Sequence, residues 1–317
     1  MFRLLFLTMV GLITLGSLVF DKPNLLKVDG DTTLDDVLAL MYKHNLTYVV
    51  VEENGKYCGF VSTMELMTEV AFGSFEWEKP NPEDFEVFKS SKMPVKELLE
   101  LNPREQGIYC YEPTELLQFV FKPMSDGVRR VLVSVREAGH TSYRSLSQFD
   151  VIRYIGSHLS VIKGQSPVDI QKSIQDLGLC ADIGKPETFS IIPGSDSALQ
   201  GFRVLALKKL VAAPVVDEQG KVITTLSTND LRGVASHHLK KVLLPTTQFL
   251  SQMRGEVMFP VTCLPTDTLK ECLTKIISAK VHRLWIVNEE QQPVGVLTVT
   301  SIIRLFKENS KECSECC

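Results

Sequence analysis

With 317 residues, 44 % of them hydrophobic and 23 % charged, the chain has the composition of packed globular domains. At a usual size of about 150 residues each, that length suggests two of them. A formal net charge of −4 leaves no basic excess of the kind a dedicated nucleic-acid binder uses to replace counterions on phosphates, and eight cysteines are too few for a disulfide scaffold.

Residues Met1 to Phe20 carry one charge, Arg3, followed by an uninterrupted uncharged stretch with small residues at Gly16 and Ser17. A basic residue, an apolar run and small residues fit a signal or anchor segment. The alternative is an apolar segment that leads into the first domain and packs on it, the reading that makes the chain cytoplasmic or nuclear and not membrane-bound. From Leu25 onward one pattern occurs four times: an apolar strand, a helix-period stretch, two strands joined by a polar turn, and a second helix. In the first copy Leu25 to Val28 opens as a strand. Leu34, Val37, Leu38 and Met41 then fall at helical spacing behind the N-cap candidates Asp31 to Thr33. Tyr48 to Val51 and Tyr57 to Ser62 read as strands around the turn Glu53-Asn54-Gly55, and Thr63 opens the second helix.

Residues 74–106 form a proline-rich and charged excursion in which Trp77, Phe85 and Phe88 either anchor a partner or pin the loop, with a short helix from Val95 to Leu101. The second copy starts near Ile108, with a helix over Glu115 to Met124 and strands over Arg130 to Val135 and Tyr143 to Ser147. The third has Phe189 to Ile192, a helix over Ala198 to Leu207, and strands Ala213 to Asp217 and Val222 to Ser227. A helical link with His237 and His238 leads to the fourth, which runs from Val261 through a helix over Thr268 to Ser278, strands Arg283 to Val287 and Val294 to Thr298, and a helix over Ser301 to Phe306. The tail ends in Cys313, Cys316 and Cys317, a spacing open to redox, zinc or lipid chemistry but without a second ligand pair.

The copies also pair at a higher level. Asp21-Lys22-Pro23 before the first copy matches Gly184-Lys185-Pro186 before the third. The chain is therefore expected to be a duplicated pair: repeats about 16–73 and 107–160 in residues 1–165, and about 179–235 and 255–307 in residues 166–317. This duplication favours the packed reading of the N-terminal segment, since the equivalent residues 179–183 lie inside the chain.

Each copy ends its third strand in a recurring tetrapeptide: Ser62 to Glu65, Ser147 to Asp150, Ser227 to Asp230 and Thr298 to Ser301. A carboxylate at a helix start can accept hydrogen bonds from a vicinal diol, and a hydroxyl three residues earlier offers a donor to ribose or phosphate. The competing reading is a helix capping box. Ser301 lacks the carboxylate, and Glu65 carries it on a longer arm. At equivalent positions before the second strand stand Arg129 and Arg130 in the second copy, and His282 and Arg283 in the fourth. Guanidinium forks suit phosphate oxygens, and an imidazole titrates near neutrality. Such residues can equally be solvated charges paired with neighbours such as Asp126. The first and third copies have Leu46-Thr47-Tyr48 and Val211-Ala212-Ala213 there and supply no cation.

Four units of this kind, with Ala279-Lys-Val-His-Arg-Leu-Trp-Ile-Val-Asn288 and Ala213-Pro-Val-Val-Asp-Glu-Gln-Gly220 within them, resemble cystathionine-β-synthase (CBS) repeats. Four in one chain look like the gamma regulatory subunit of AMP-activated protein kinase. Ser197 to Arg203 and Leu226 to Gly233 are most similar to plant-type gamma-like members. The resemblance implies an α+β fold of two CBS pairs in a flattened pseudo-symmetric disk. It implies a non-enzymatic subunit of a protein kinase complex with catalytic and beta-type partners, and AMP, ADP or ATP as regulatory ligand without a required cofactor or metal. The nucleotide would meet Ser62, Glu65, Ser147, Asp150, Ser227, Asp230, Thr298 and Ser301 through its ribose, the four cationic residues through its phosphates, and Val211 and Ala212 through its adenine. A CBS scaffold acting on another partner, such as a transporter or redox enzyme, is the alternative.

Overall fold

The computed structural model describes residues 13–73, 92–101, 108–137, 140–158, 168–181, 183–185, 189–232, 234, 236–255 and 259–308. Trp77, Phe85, Phe88, Cys313, Cys316 and Cys317 lie outside them, as do residues 1–12. No helix among the described residues is long and apolar enough to cross a membrane.

Four three-stranded sheets follow the four copies, each with its middle strand in the middle of the sequence order. The first holds β1 (Lys27–Asp29), β2 (Tyr48–Glu53) and β3 (Lys56–Ser62). The first strand runs parallel to the second and the second antiparallel to the third, which is what a helical crossover followed by a tight hairpin dictates. Helix α2 (Leu34–Lys43), between β1 and β2, starts at Thr33, whose hydroxyl accepts from the Asp36 amide, and buries Leu34, Val37, Leu38 and Met41. Asn54 (φ 50°) and Gly55 (φ 75°) make the left-handed turn that a two-residue hairpin needs.

The second sheet is β4 (Cys110–Tyr111), β5 (Arg130–Glu137) and β6 (His140–Ser147); the third is β7 (Ile192–Pro193), β8 (Ala212–Val216) and β9 (Val222–Ser227). The fourth is β10 (Thr262–Cys263), β11 (Arg283–Val287) and β12 (Pro293–Thr298). Crossover helices span Gln118–Ser125, Ala198–Leu207 and Leu269–Ser278. The closing helices are Thr63–Thr68, Gln148–Ser157 and Val299–Glu308. In the third unit the closing helix is a single 3₁₀ turn, Thr228–Leu231, because Asn229 and Gly233 are weak helix formers.

Each lead-in segment packs on the neighbouring unit instead of its own. Helix α1 (Leu15–Val19) docks on the second unit, with the Leu15 and Gly16 amides donating to the carbonyls of Glu115 (2.7 Å) and Pro113 (2.8 Å). Residues 168–180 dock likewise on the fourth unit, the Ile174 amide donating to the Asp267 carbonyl at 2.9 Å. Conversely, helix Val95–Leu101 sits against the first unit, and helix Thr246–Arg254 against the third. This exchange ties units one and two together, and units three and four.

The apolar cores run the other way. One cluster joins the second and fourth units and includes Leu15, Ile152, Ile276 and Phe306; the other joins the first and third and includes Met41, Leu66, Phe202 and Phe249. Buried polar pairs pin both helix interfaces: the Thr63 and Thr228 hydroxyls lie 2.9 Å apart, and Thr300 donates to the Gln148 carboxamide at 3.1 Å. Sheet contacts are lighter, with Trp285 Nε1 donating to Thr225 Oγ1 (2.8 Å) between units three and four. Tyr57 meets Tyr143 edge to face (5.3 Å) between units one and two. The four units thereby close around a common centre.

Candidate functional site

At that centre the cations of the second and fourth units converge, because β5 and β11 begin there. Arg283 is surrounded by protein, and the loss of solvation together with the nearby Arg129 guanidinium pushes its pKa down to about 10. Arg130 is lowered too, chiefly by burial, while Tyr48, Asp150 and Glu65 act in the opposite sense. Its guanidinium lies over the Tyr48 ring, 3.6 Å from the centroid, and Nη2 donates to Thr47 Oγ1 at 3.3 Å. Its Nε is buried with no hydrogen-bond partner among the described residues.

His282 completes the group. Its side chain is partly covered by protein and partly open to solvent, and its ring packs 5.4 Å from that of Phe149. That burial, followed by Arg283, Arg130 and Arg129, pushes its pKa to about 4, with Asp150 opposing. An imidazole read from sequence as titrating near neutrality is thus shifted toward its neutral form, first by burial and then by the surrounding cations. Asp126, the neighbour considered as their counterion, pairs with Lys122 (3.1 Å) and Lys307 (3.7 Å).

The tetrapeptides form the helix starts. In the first three units the Ser hydroxyl and the acidic side chain satisfy each other's backbone amides as a capping box. In the fourth, the Ser301 amide donates to Thr298 Oγ1 at 3.1 Å, and Ser301 Oγ takes the Thr298 amide at the same distance. Val211 and Ala212 stand at the start of β8; Ala212 is buried against Phe189 and Trp285.

Two residues that were not expected among the site residues complete the carboxylate sites. Arg254, at the end of its lead-in helix, pairs with Asp230 Oδ1 through Nη2 (2.6 Å) and Nε (2.8 Å), and Nη2 also donates to the Thr225 carbonyl at 2.9 Å. Lys22, just after α1, pairs with Asp150 Oδ2 and donates to the Ser145 carbonyl at 2.9 Å. Ser145 and Thr225 both stand two residues before the capping serine, so one construction occurs twice. Burial alone would raise the Asp150 pKa, but the Lys22 ammonium and the Ser147 hydrogen bonds outweigh it and hold the carboxyl below its ordinary range. Their signal was absent from each repeat because each cation arrives from another unit's lead-in segment. No cluster of metal-ligating side chains occurs among the described residues.

The four sheet units share one strand order and one kind of helix start, the arrangement of a repeated α+β domain. The CBS domain is matched over residues 16–71 and 255–308, the first and last units. More particularly, the chain is a four-repeat CBS protein resembling the gamma-like kinase regulatory subunits. It is 25 % identical over 288 residues to a gamma-like regulatory subunit of SNF1-related protein kinase from Arabidopsis thaliana, covering 79 % of this chain and 76 % of the relative. It is 23 % identical to Protein SDS23 of Kluyveromyces lactis, over 95 % of this chain and 63 % of that protein. Among solved structures, a protein of Methanocaldococcus jannaschii described as a proposed archaeal homolog of g-AMPK superposes with a TM-score of 0.68 at 14 % identity, over 93 % of this chain and all of the other. That likeness establishes the shared fold.

Proposed function

We propose that this chain is a non-catalytic regulatory subunit that binds an adenine nucleotide at the common centre of the four units and so modulates a protein kinase complex in the cytoplasm or nucleus. The observation carrying this reading is the convergence of Arg129, Arg130, His282 and Arg283 where the second and fourth units meet. Burial and the neighbouring guanidinium groups lower the pKa values of Arg283 and His282, and a phosphate among them would offset that cost with charge-assisted hydrogen bonds. The carboxylates at the helix starts would take the ribose, and Val211 and Ala212 would flank the base. Regulation follows if the nucleotide binds one arrangement of the four units better than another. The plant relative's name, a gamma-like regulatory subunit of SNF1-related protein kinase, supports a protein kinase as the partner, and this reading expects catalytic and beta-type subunits in that complex. The closed carboxylates Asp150 and Asp230 favour a second reading, a CBS scaffold that acts on another partner without tight nucleotide binding.

Calorimetric titration of AMP, ADP and ATP decides between them. The nucleotide reading expects saturable binding that Arg283→Gln weakens about tenfold or more, as loss of a charge-assisted phosphate contact does. No heat at millimolar nucleotide would leave the scaffold reading. Co-purification with kinase catalytic and beta subunits tests the partner.

A further inference from the structure

The paired constructions at Asp150 and Asp230 do more than cap helices. In each, one carboxylate oxygen accepts from the capping serine's own backbone amide, at 2.8 Å from Ser147 and 2.7 Å from Ser227. A lead-in cation then bridges the carboxylate to the carbonyl two residues before that serine. The side chains are well covered: relative exposure is 12 % for Asp150 and 6 % for Asp230, against 23 % for Lys22 and 19 % for Arg254. Arg254 takes Asp230 Oδ1, the oxygen that Ser227 leaves open. Lys22 instead shares Asp150 Oδ2 with Ser147, and Arg153 lies 3.5 Å from Asp150 Oδ1. A vicinal diol approaching either carboxylate therefore meets charged donors already in place.

We infer that Lys22 and Arg254 are latches: built-in competitors for the two carboxylates, which a ligand's diol must displace. This deepens the nucleotide reading given above and rests on it. The latch has a mechanical consequence, because both cations sit at the ends of segments that join the two units of a pair. Displacing Lys22 removes the ion-pair restraint just beyond α1, which is docked on the second unit. Displacing Arg254 does the same at the end of helix Thr246–Arg254, docked on the third. Diol occupancy is therefore coupled to how firmly each lead-in segment is held, and the ligand works against the latch each time it binds. A site whose acceptor is free only about a tenth of the time shows an apparent affinity about tenfold below its intrinsic one.

The expectation opposes ordinary charge arithmetic. Removing a cation from a protein that binds an anionic ligand should weaken binding; removing a latch should strengthen it. Titrating AMP into the full chain and into Lys22→Gln and Arg254→Gln is expected to show tightening of about threefold to tenfold in each variant. 2′-Deoxy-AMP, which lacks the diol, should gain nothing. Arg254→Lys keeps the charge and should stay nearer to wild type than Arg254→Gln. In the unaltered chain, AMP should increase hydrogen exchange over residues 13–22 and 246–254; this measurement stands even if Arg254→Gln does not fold.

Wild-type binding with equal or weaker affinity in both Gln variants overturns the latch and leaves the nucleotide reading intact. An equal gain for 2′-deoxy-AMP, or AMP-induced protection of the two segments, also overturns it. Binding by the variants alone supports a latch strong enough to silence the resting chain. No binding by any of them overturns the nucleotide reading and the latch together.

Discussion

Asp150 and its partners show how one side chain serves folding and recognition at once. The carboxylate caps a helix, pairs with Lys22 and lies within electrostatic reach of Arg130 and His282. Its pKa is lowered in the folded chain, whereas an unfolded aspartate titrates near 3.9. The sign follows from proton linkage: its contribution to stability is present above about pH 4 and is lost as pH falls through the depressed folded value. Urea midpoints should therefore separate wild type from Asp150→Asn at pH 7, and the gap should narrow progressively below about pH 4. A gap independent of pH would contradict the ion pair. At this scale the sequence displayed the serine-carboxylate tetrapeptides and the arginine-bearing strand starts because they recur within each repeat. It concealed Lys22 and Arg254 because their role depends on which neighbouring unit receives each lead-in segment.

The lead-in segments are the elements on which the arrangement depends. The N-terminal apolar stretch could be read as an anchor or as a packed segment, and its described part is packed: Leu15 and Val19 are fully buried in the second unit's core. Gly16 is required by proximity, since a Cβ there would stand 2.9 Å from both the Cβ and the carbonyl oxygen of Pro113. Gly16→Val should cost about 1–3 kcal/mol, read as a fall in the urea midpoint. Because the same segment carries Lys22, that variant should also loosen the Lys22–Asp150 pair. An unchanged midpoint would show that α1 can shift without cost. The strands and crossover helices were legible from alternation, helical spacing and, in the first unit, the Asn54-Gly55 turn. The exchange of lead-in segments was not, because local periodicity names the buried face but not its partner.

Across the whole molecule, the duplication pointed to two successive halves, and the exchanged segments do connect units one with two and three with four. The large apolar interfaces cross between those halves instead. Helices of the first unit bury Leu66 and Met67 in a cluster shared with Phe202 and Phe249, while Ile152 and Ile155 share another with Ile302 and Phe306. Residues 1–165 alone would expose both of these faces to water, an aggregation or association hazard. Sedimentation should accordingly find the separate halves 1–165 and 166–317 self-associated, and a mixture of them forming a one-to-one complex. A well-folded monomeric 1–165 would contradict the shared cores. Sequence repetition revealed four units; it could not reveal which apolar faces meet, because every unit has a similar helix pair.

The central claim is that the converging cations hold nucleotide phosphate, and His282 reports on it directly. Its ring C–H resonance, assigned among the chain's 6 histidines with a His282→Gln variant, can be followed by NMR as pH is lowered, with and without AMP. Without ligand the midpoint should lie near about 4, far below an ordinary imidazole, and saturating AMP should raise it because a neighbouring phosphate favours the imidazolium. A midpoint near 6.5 in the free protein, or one that AMP leaves unmoved, would contradict the account.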